Sequence, residues 1–314
     1  MTALPESTIL PRPGAAGDAP PLGLLLDVDG PIASPVSRRI AIQGILDDLV
    51  ALTAAGVPIA FITGRSDAFI REQVITPLLA NGLGDALALP GARMFAVFEK
   101  GAAWSTVSAD GLGEVEVDAS VAPPAALVDE IRALVAPDSP SGFGASMFFD
   151  ETKRAMISVE QRTDVSHADY LAAQGPFNDQ AFAIVAKHGV GVRLGDREAP
   201  DAAGDVPFRL DPTIISTDIE SVLLDKDRGA ERALEHFRGV GALPRVWRSV
   251  GDSRSDYLMA DHLHEAGFDV AHVDVRPADG ILERPYPVIT EGDLIHDEAG
   301  AAFLRYWVDK LTLR

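Results

Sequence analysis

Two short apolar runs constrain this chain more than anything else in it. Leu22–Val28, broken only by Asp27, and Val57–Ile62 are each of strand length, and the segment between them, Arg38–Ala55, repeats Ile40, Ile45, Leu49 and Leu52 at helical spacing before Gly56 ends it. A strand that is apolar on both faces must be covered on both. Strand, helix, strand of this kind therefore predicts a parallel sheet with right-handed crossovers and helices on its two sides, the start of a doubly wound α/β domain.

The alternation continues with a helix near Asp67–Ala80 and a strand near Met94–Phe98. It resumes with a helix at Gly229–Phe237, strands at Arg245–Val250 and Asp269–Val275, and a closing helix at Ala299–Leu311. Between these the pattern changes. Ala125–Val135 reads as a helix, Ala145–Glu151 and Arg154–Glu160 as a hairpin turning at Thr152–Lys153, and His167–His188 as a helix interrupted at Gly175–Pro176. Strands at Val190–Leu194 and Thr213–Leu224 complete it. Paired strands with helices between them suggest a separate α+β module of residues 118–219, inserted in a core of 22–117 and 220–314.

A chain of 314 residues, 47% of them hydrophobic, is long enough for such a core and its insert. With no cysteine it can hold no disulfide, thiolate metal site or cysteine nucleophile, which fits a reducing cytoplasm. Its apolar runs fall far short of the ~20 residues a bilayer crossing needs. Residues 1–21, rich in Pro and Ala, lack the basic start and long apolar stretch of a secretory signal and are expected to be a disordered leader. A net charge of −20 would repel a phosphate backbone, so neither nucleic acid nor membrane is expected as a partner.

Chemistry concentrates where strands end. Asp27-Val-Asp29-Gly30 leaves the carboxyl end of the first strand, where open α/β sheets place their ligands. Two carboxylates held close repel unless a cation lies between them or one carries a proton. Alone, the motif reads equally well as a turn. Thr63-Gly64-Arg65 ends the second strand, and a hydroxyl, a backbone N–H and a guanidinium together suit a phosphate, although a Thr/Gly turn capping a helix is the plainer explanation. Gly251-Asp252-Ser253-Arg254-Ser255-Asp256 follows a third strand. If Ser255 and Asp256 begin a helix, Asp252 in the turn and Asp256 on the first exposed ring could face one cation, and oxygen ligands without His or Cys suit Mg²⁺. Lys226, one of five lysines, lies just before the Gly229 helix, at the end that disfavours a cation, which points to an anionic partner.

In the order DxDG, TG, K, GDxxxD, these elements resemble the haloacid dehalogenase-like phosphatases, in particular the Cof-type and trehalose-phosphatase-like members whose cap is inserted between the second and third motifs. Glu99-Lys100-Gly101-Ala102 is similar to the Glu-Asn-Gly-Ala segment of that group, and the resemblance spans residues 22–290. It implies a Mg²⁺-dependent phosphatase acting on a small phosphorylated metabolite, a sugar phosphate first, through an aspartyl-phosphate. Asp27 is then the nucleophile, Asp29 the general acid/base and, through its carbonyl, a metal ligand. Thr63, Gly64 and Lys226 bind phosphate, and Asp27 and Asp252 hold the metal, with Asp256 acting through water or by orienting Lys226. Arg65, Lys153 and Arg154 are candidate substrate contacts, the last two at a cap hairpin tip that a solvated turn explains as well. Pro31 in place of Thr, Ser255 in place of Asn, and Asp227-Arg228 between Lys226 and Gly229 depart from the pattern. A sugar phosphomutase and a non-catalytic phosphometabolite-binding protein are the alternatives. A GDSL-type esterase with Ser253 as nucleophile leaves the Asp27 loop unexplained.

Overall fold

The computed structural model describes residues 19–313, so the expected leader lies, up to residue 18, outside the described residues. The described residues divide into two compact units, 19–116 with 225–313, and 117–224.

In chain order the strands are β1 (Gly23–Leu26), β2 (Ile59–Ile62), β3 (Met94–Phe98), β4 (Ala103–Ser108), β5 (Gly111–Leu112), β6 (Glu116–Val117), β7 (Met147–Phe149), β8 (Ile157–Gln161), β9 (Val192–Leu194), β10 (Arg197–Ala199), β11 (Phe208–Pro212), β12 (Ser216–Ser221), β13 (Val246–Gly251), β14 (Asp269–Asp274) and β15 (Val288–Ile289). The helices are α1 (Gln43–Ala54), α2 (Asp67–Ile70), α3 (Thr76–Ala80), α4 (Leu83–Leu87), α5 (Ala125–Leu134), α6 (His167–Lys187), α7 (Lys226–Val240), α8 (Tyr257–Glu265) and α9 (His296–Lys310).

The first unit is built on a sheet ordered β15-β14-β13-β1-β2-β3-β4-β5, with β6 beside β4. From β15 to β3 every pairing is parallel. β4 and β5 extend it antiparallel. Alternate residues of the central strands serve opposite faces. Leu24, Leu26, Ile59 and Phe61 pack with Ile45, Leu49 and Leu52 of α1 and Phe303, Leu304 and Trp307 of α9. Leu25, Ala60, Ile62 and Trp247 pack with Ala233, Leu234 and Phe237 of α7 and Met259 and Leu263 of α8. Each fully buried side chain of this size contributes roughly 1.5–3 kcal/mol, so the two apolar runs commit the sheet to burial on both sides. This is the doubly wound α/β architecture expected. Because the chain leaves β1 through β2 and β3 and returns on the other side at β13, β1 lies at the topological switch point.

The second unit has a sheet ordered β10-β9-β11-β12-β8-β7, antiparallel except where β11 meets β9. Leu127 and Ile131 of α5 and Tyr170, Phe177, Ala181 and Val185 of α6 form one core with Ile157, Val159, Leu210 and Ile219 of its strands.

Three expectations are corrected. The first helix starts at Gln43 instead of Arg38, because the chain folds back after β1: Ala33 donates to the Val28 carbonyl at 2.7 Å, Gly30 to that of Ala33 at 3.0 Å, and Arg38 adopts a left-handed φ of 54°. The helix at Asp67–Ala80 is widened by a π-turn over Arg71–Ile75. Pro77 has no N–H for the preceding turn, and the Thr76 hydroxyl donates to the Arg71 carbonyl at 2.8 Å. The helix over His167–Lys187 is not interrupted at Gly175–Pro176. A mid-helix proline costs about 3 kcal/mol, less than the burial of Tyr170, Phe177 and Val185 on either side of it supplies.

His272 of β14 is fully buried between strands, bonded to the Ser249 hydroxyl at 2.8 Å with its ring 4.1 Å from that of Tyr257. Burial pulls its pKa down to about 4, against ~6.5 in the unfolded chain. Between those values the unfolded state binds the extra proton, so stability is complete above pH ~6.5 and declines as the pH falls toward 4. His272→Asn should therefore flatten the acid limb of the stability profile between pH 7 and 4, by about 2–3 kcal/mol relative to the parent in denaturant melts. Parallel profiles would refute it.

Candidate active site

Every element of the site leaves the carboxyl end of a central strand or starts the helix beside it. Asp27 is the first residue beyond β1, its N–H bonded to the Val250 carbonyl at 2.9 Å. Gly30 has φ 98°, and a Cβ there would come within 2.9 Å of the Asp252 side chain, so only glycine brings this loop so close to the one after β13. That second loop is shaped by Asp256. Its Oδ2 accepts from the Asp252 N–H at 3.1 Å, the Ser253 N–H at 2.9 Å and the Ser253 hydroxyl at 2.7 Å. Asp256 is thereby folded beneath the loop and fully buried, which corrects the expectation that it lies on an exposed ring.

Lys226 is the first residue of α7, its N–H capped by the Asp225 carboxylate at 2.9 Å. Gly229, one turn on, has no room for a Cβ, which would sit 2.3 Å from Ile62 Cγ2, so α7 begins hard against β2. The Lys226 ammonium then reaches Asp27 Oδ1 at 2.5 Å, the Ile62 carbonyl at 2.8 Å and Asp256 Oδ1 at 2.7 Å.

Thr63 is buried at the end of β2, and its hydroxyl oxygen accepts from the Arg65 N–H at 3.0 Å, so the Thr63-Gly64-Arg65 turn is wound around that side chain. Arg65 holds Asp29 by two parallel hydrogen bonds, Nε to Oδ2 and Nη2 to Oδ1, both 3.0 Å. Three successive left-handed residues, Glu99, Lys100 and Gly101 with φ of 50°, 55° and 99°, tie the next loop to this one: Glu99 donates to the Arg65 carbonyl at 3.1 Å and Lys100 to that of Thr63 at 3.0 Å. Backbone strain of this kind clusters at functional loops. Lys153 and Arg154 lie in the turn between β7 and β8 of the second unit, and the site described here consists of first-unit residues alone. Arg276 and His296, 3.7 Å and 4.0 Å from Asp252 Oδ2, escaped the sequence reading. The available signal was position: Arg276 stands just past the end of β14, at the same edge as Asp252.

Burial raises the Asp27 carboxyl well above the usual carboxylate range, and nearby Asp256 adds to this against the pull of Lys226. Burial also pushes Asp252 up, to about 6, again with Asp256 contributing. Asp256 moves the other way: although buried, it is held low by Lys226 and by the donors of Ser253. For Lys226, Asp256 and Asp27 outweigh burial and raise it. One ammonium is thus shared by Asp27 and Asp256, and three carboxyls crowd around it with Asp252 bordered by Arg276 and His296 beyond hydrogen-bond reach. Oxygens of Asp27, Asp252 and Asp256 lie within 4.8 Å of one another. Hard, all-oxygen donors with excess negative charge fit a divalent cation of the Mg²⁺ type and not one that prefers nitrogen or sulfur.

No protein-family model matches the sequence, and no curated protein matches it. Solved structures do. A haloacid dehalogenase-like hydrolase from Bacteroides thetaiotaomicron aligns with a TM-score of 0.53 at 13% identity, covering 91% of this chain and 98% of the other. The fold is that of the haloacid dehalogenase-like hydrolases. A Thermoplasma acidophilum protein (TM-score 0.50, 12% identity, 93% and 98% covered) and an IMP-nucleotidase of Plasmodium falciparum (TM-score 0.50, 12% identity, 93% and 62% covered) share it. At such identities the likeness is one of fold.

Proposed function

We propose that this chain is a Mg²⁺-dependent phosphatase of small phosphorylated metabolites, working through an aspartyl-phosphate on Asp27. The observation that supports it most is the placement of Asp27 at the switch point of the sheet, against Lys226 and within 4.8 Å of Asp252 and Asp256 oxygens. Asp27 and Asp252, with the Asp29 carbonyl, would hold Mg²⁺, which supplies positive charge between the attacking carboxylate and the phosphate. An Asp27 oxygen attacks phosphorus, the bond to the leaving oxygen breaks, and Asp29 gives that oxygen a proton. Water then attacks the phosphorus, loses a proton to Asp29 and releases phosphate from Asp27. Lys226, Thr63 and the Gly64 N–H stabilise the equatorial oxygens.

Arg65 must share in this. Its fork holds both Asp29 oxygens, so a proton on one of them loosens that arm, whose N–H can then turn to the incoming phosphate while the other arm stays on Asp29. Asp256 acts by orienting Lys226, since both of its oxygens are already engaged.

The second unit is proposed as a cap that selects the substrate and excludes water, with Lys153 and Arg154 as its candidate contacts. A cap of this size favours metabolites over phosphoproteins. Among metabolites we favour sugar phosphates, on the resemblance of the motifs to trehalose-phosphatase-like and Cof-type proteins; the nucleotidase among the structural relatives makes nucleotides the competitor to test. The test is a screen of hexose, disaccharide, glycerol, nucleotide and vitamin-precursor phosphates with Mg²⁺, reading both free phosphate and the recovered organic product. Free phosphate from a sugar phosphate with the highest kcat/KM is expected. Isomerised sugar phosphate would make the chain a mutase, tight binding without turnover a sensor, and nucleotides turned over at least as well as every sugar phosphate would end the sugar assignment.

A further inference from the structure

Asp252 has a neighbour that the reaction above does not use. Arg276 leaves the end of β14 with its N–H on Asp274 Oδ1 at 2.8 Å, and Asp274 is held in turn by the Tyr257 hydroxyl at 2.6 Å. The guanidinium lies between two carboxylates. Nη2 makes a close ion pair with Asp279 Oδ2 at 2.6 Å, while Nη1 stops 3.7 Å from Asp252 Oδ2. The second distance is beyond hydrogen-bond reach, so the attraction there is one of charge alone and leaves the oxygen's lone pairs open. His296 borders the same oxygen at 4.0 Å, fixed by a left-handed φ of 50° and by its N–H on the Val275 carbonyl at 2.8 Å. The Asp252 oxygen is therefore faced by two basic side chains and bonded to neither.

Such a charge has opposite effects in the two states of the site. Without a cation it offsets the repulsion among Asp27, Asp252 and Asp256, and with a dication bound it repels the dication. We propose that Arg276 is a positioning residue that stabilises the metal-free carboxylate cluster at the expense of Mg²⁺ affinity, and that Asp279 sets how much of its charge Asp252 feels. This rests on the Mg²⁺-phosphatase reading. The side chains of Arg276 and Asp279 are 40% and 58% exposed, so solvent and salt screen the effect to a modest size.

The test is titration calorimetry of Mg²⁺ into the full-length protein, its Arg276→Met variant and its Asp279→Asn variant, with thermal melts of each in EDTA. Arg276→Met should tighten the Mg²⁺ Kd about three- to tenfold while lowering the melting temperature in EDTA. Asp279→Asn, at an exposed position where folding is not at risk, should loosen the Kd, because the guanidinium loses the anion that shares its charge. Both shifts should shrink when salt is raised from about 0.05 M to 0.5 M. Unchanged or weaker binding in Arg276→Met, or shifts of the same sign in both variants, would overturn the proposal while the phosphatase reading stands. No Mg²⁺ binding by the parent protein would overturn both.

Discussion

Asp27→Asn is expected to lose at least about a thousandfold in kcat toward a generic aryl phosphate while leaving the metal-free fold intact or more stable. The first half follows from chemistry: an amide cannot take phosphorus as a carboxylate does, and among the described residues Asp256 is the other carboxylate paired with Lys226. Asp256 is the nearest candidate, but its oxygens are bonded to Lys226 and to the Ser253 loop. The second half follows from the environment. Burial and Asp256 already push Asp27 toward its neutral form, so a neutral isostere spares the cost of holding it ionised beside Asp256, and its amide oxygen can still accept from Lys226. The melting temperature in EDTA should stay level or rise, and the parent should lose activity in EDTA as completely as the variant does in Mg²⁺. Retention of more than a tenth of the parent rate would remove Asp27 from the nucleophile's role.

The pairing of lost activity with kept stability separates a functional carboxylate from a structural one, and it also explains what the sequence could convey. The runs Leu22–Val28 and Val57–Ile62 announced a sheet buried on both faces because a strand's pattern is set by what covers it, and both faces are covered. The charged residues at their ends stood out against that apolar background. The order of elements placed Asp27, Thr63 and Asp252 at one edge before any contact was known. Contacts made across long separations were not legible. The inward turn of Asp256 is the exception, a local signal passed over: Ser253 and Asp256 form a capping box, next to Gly251, where a Cβ would sit 2.1 Å from Asp256 Cβ. The Arg65 fork on Asp29 spans 36 residues, and Arg276 meets Asp252 only because β14 lies beside β13. The continuity of α6 through Pro176 was likewise set by its packing on the second sheet and not by its own residues.

Lys226→Met should destabilise the protein more than any other single substitution at the site, by about 3–5 kcal/mol in EDTA, because it leaves Asp27 and Asp256 buried without their cation. The Ile62 carbonyl loses a donor at the same time. Methionine fills a similar volume, so the loss reports charge and hydrogen bonding more than packing. Two further measurements fix the cause. Saturating Mg²⁺ should recover part of the stability, since a cation shared by Asp27 and Asp252 offsets the charge that the ammonium no longer does. Adding Asp256→Asn to Lys226→Met should also recover part of it, because the partner most dependent on the lysine is then neutral, and the double variant should be less destabilised than the sum of the singles. Activity should be lost in both, since neither restores a cation to the equatorial oxygens. If the two substitutions were additive in denaturant melts and Mg²⁺ gave Lys226→Met no more stability than it gives the parent, Lys226 would be a packing residue, and the charge balance assigned to Asp27, Asp252 and Asp256 would be wrong.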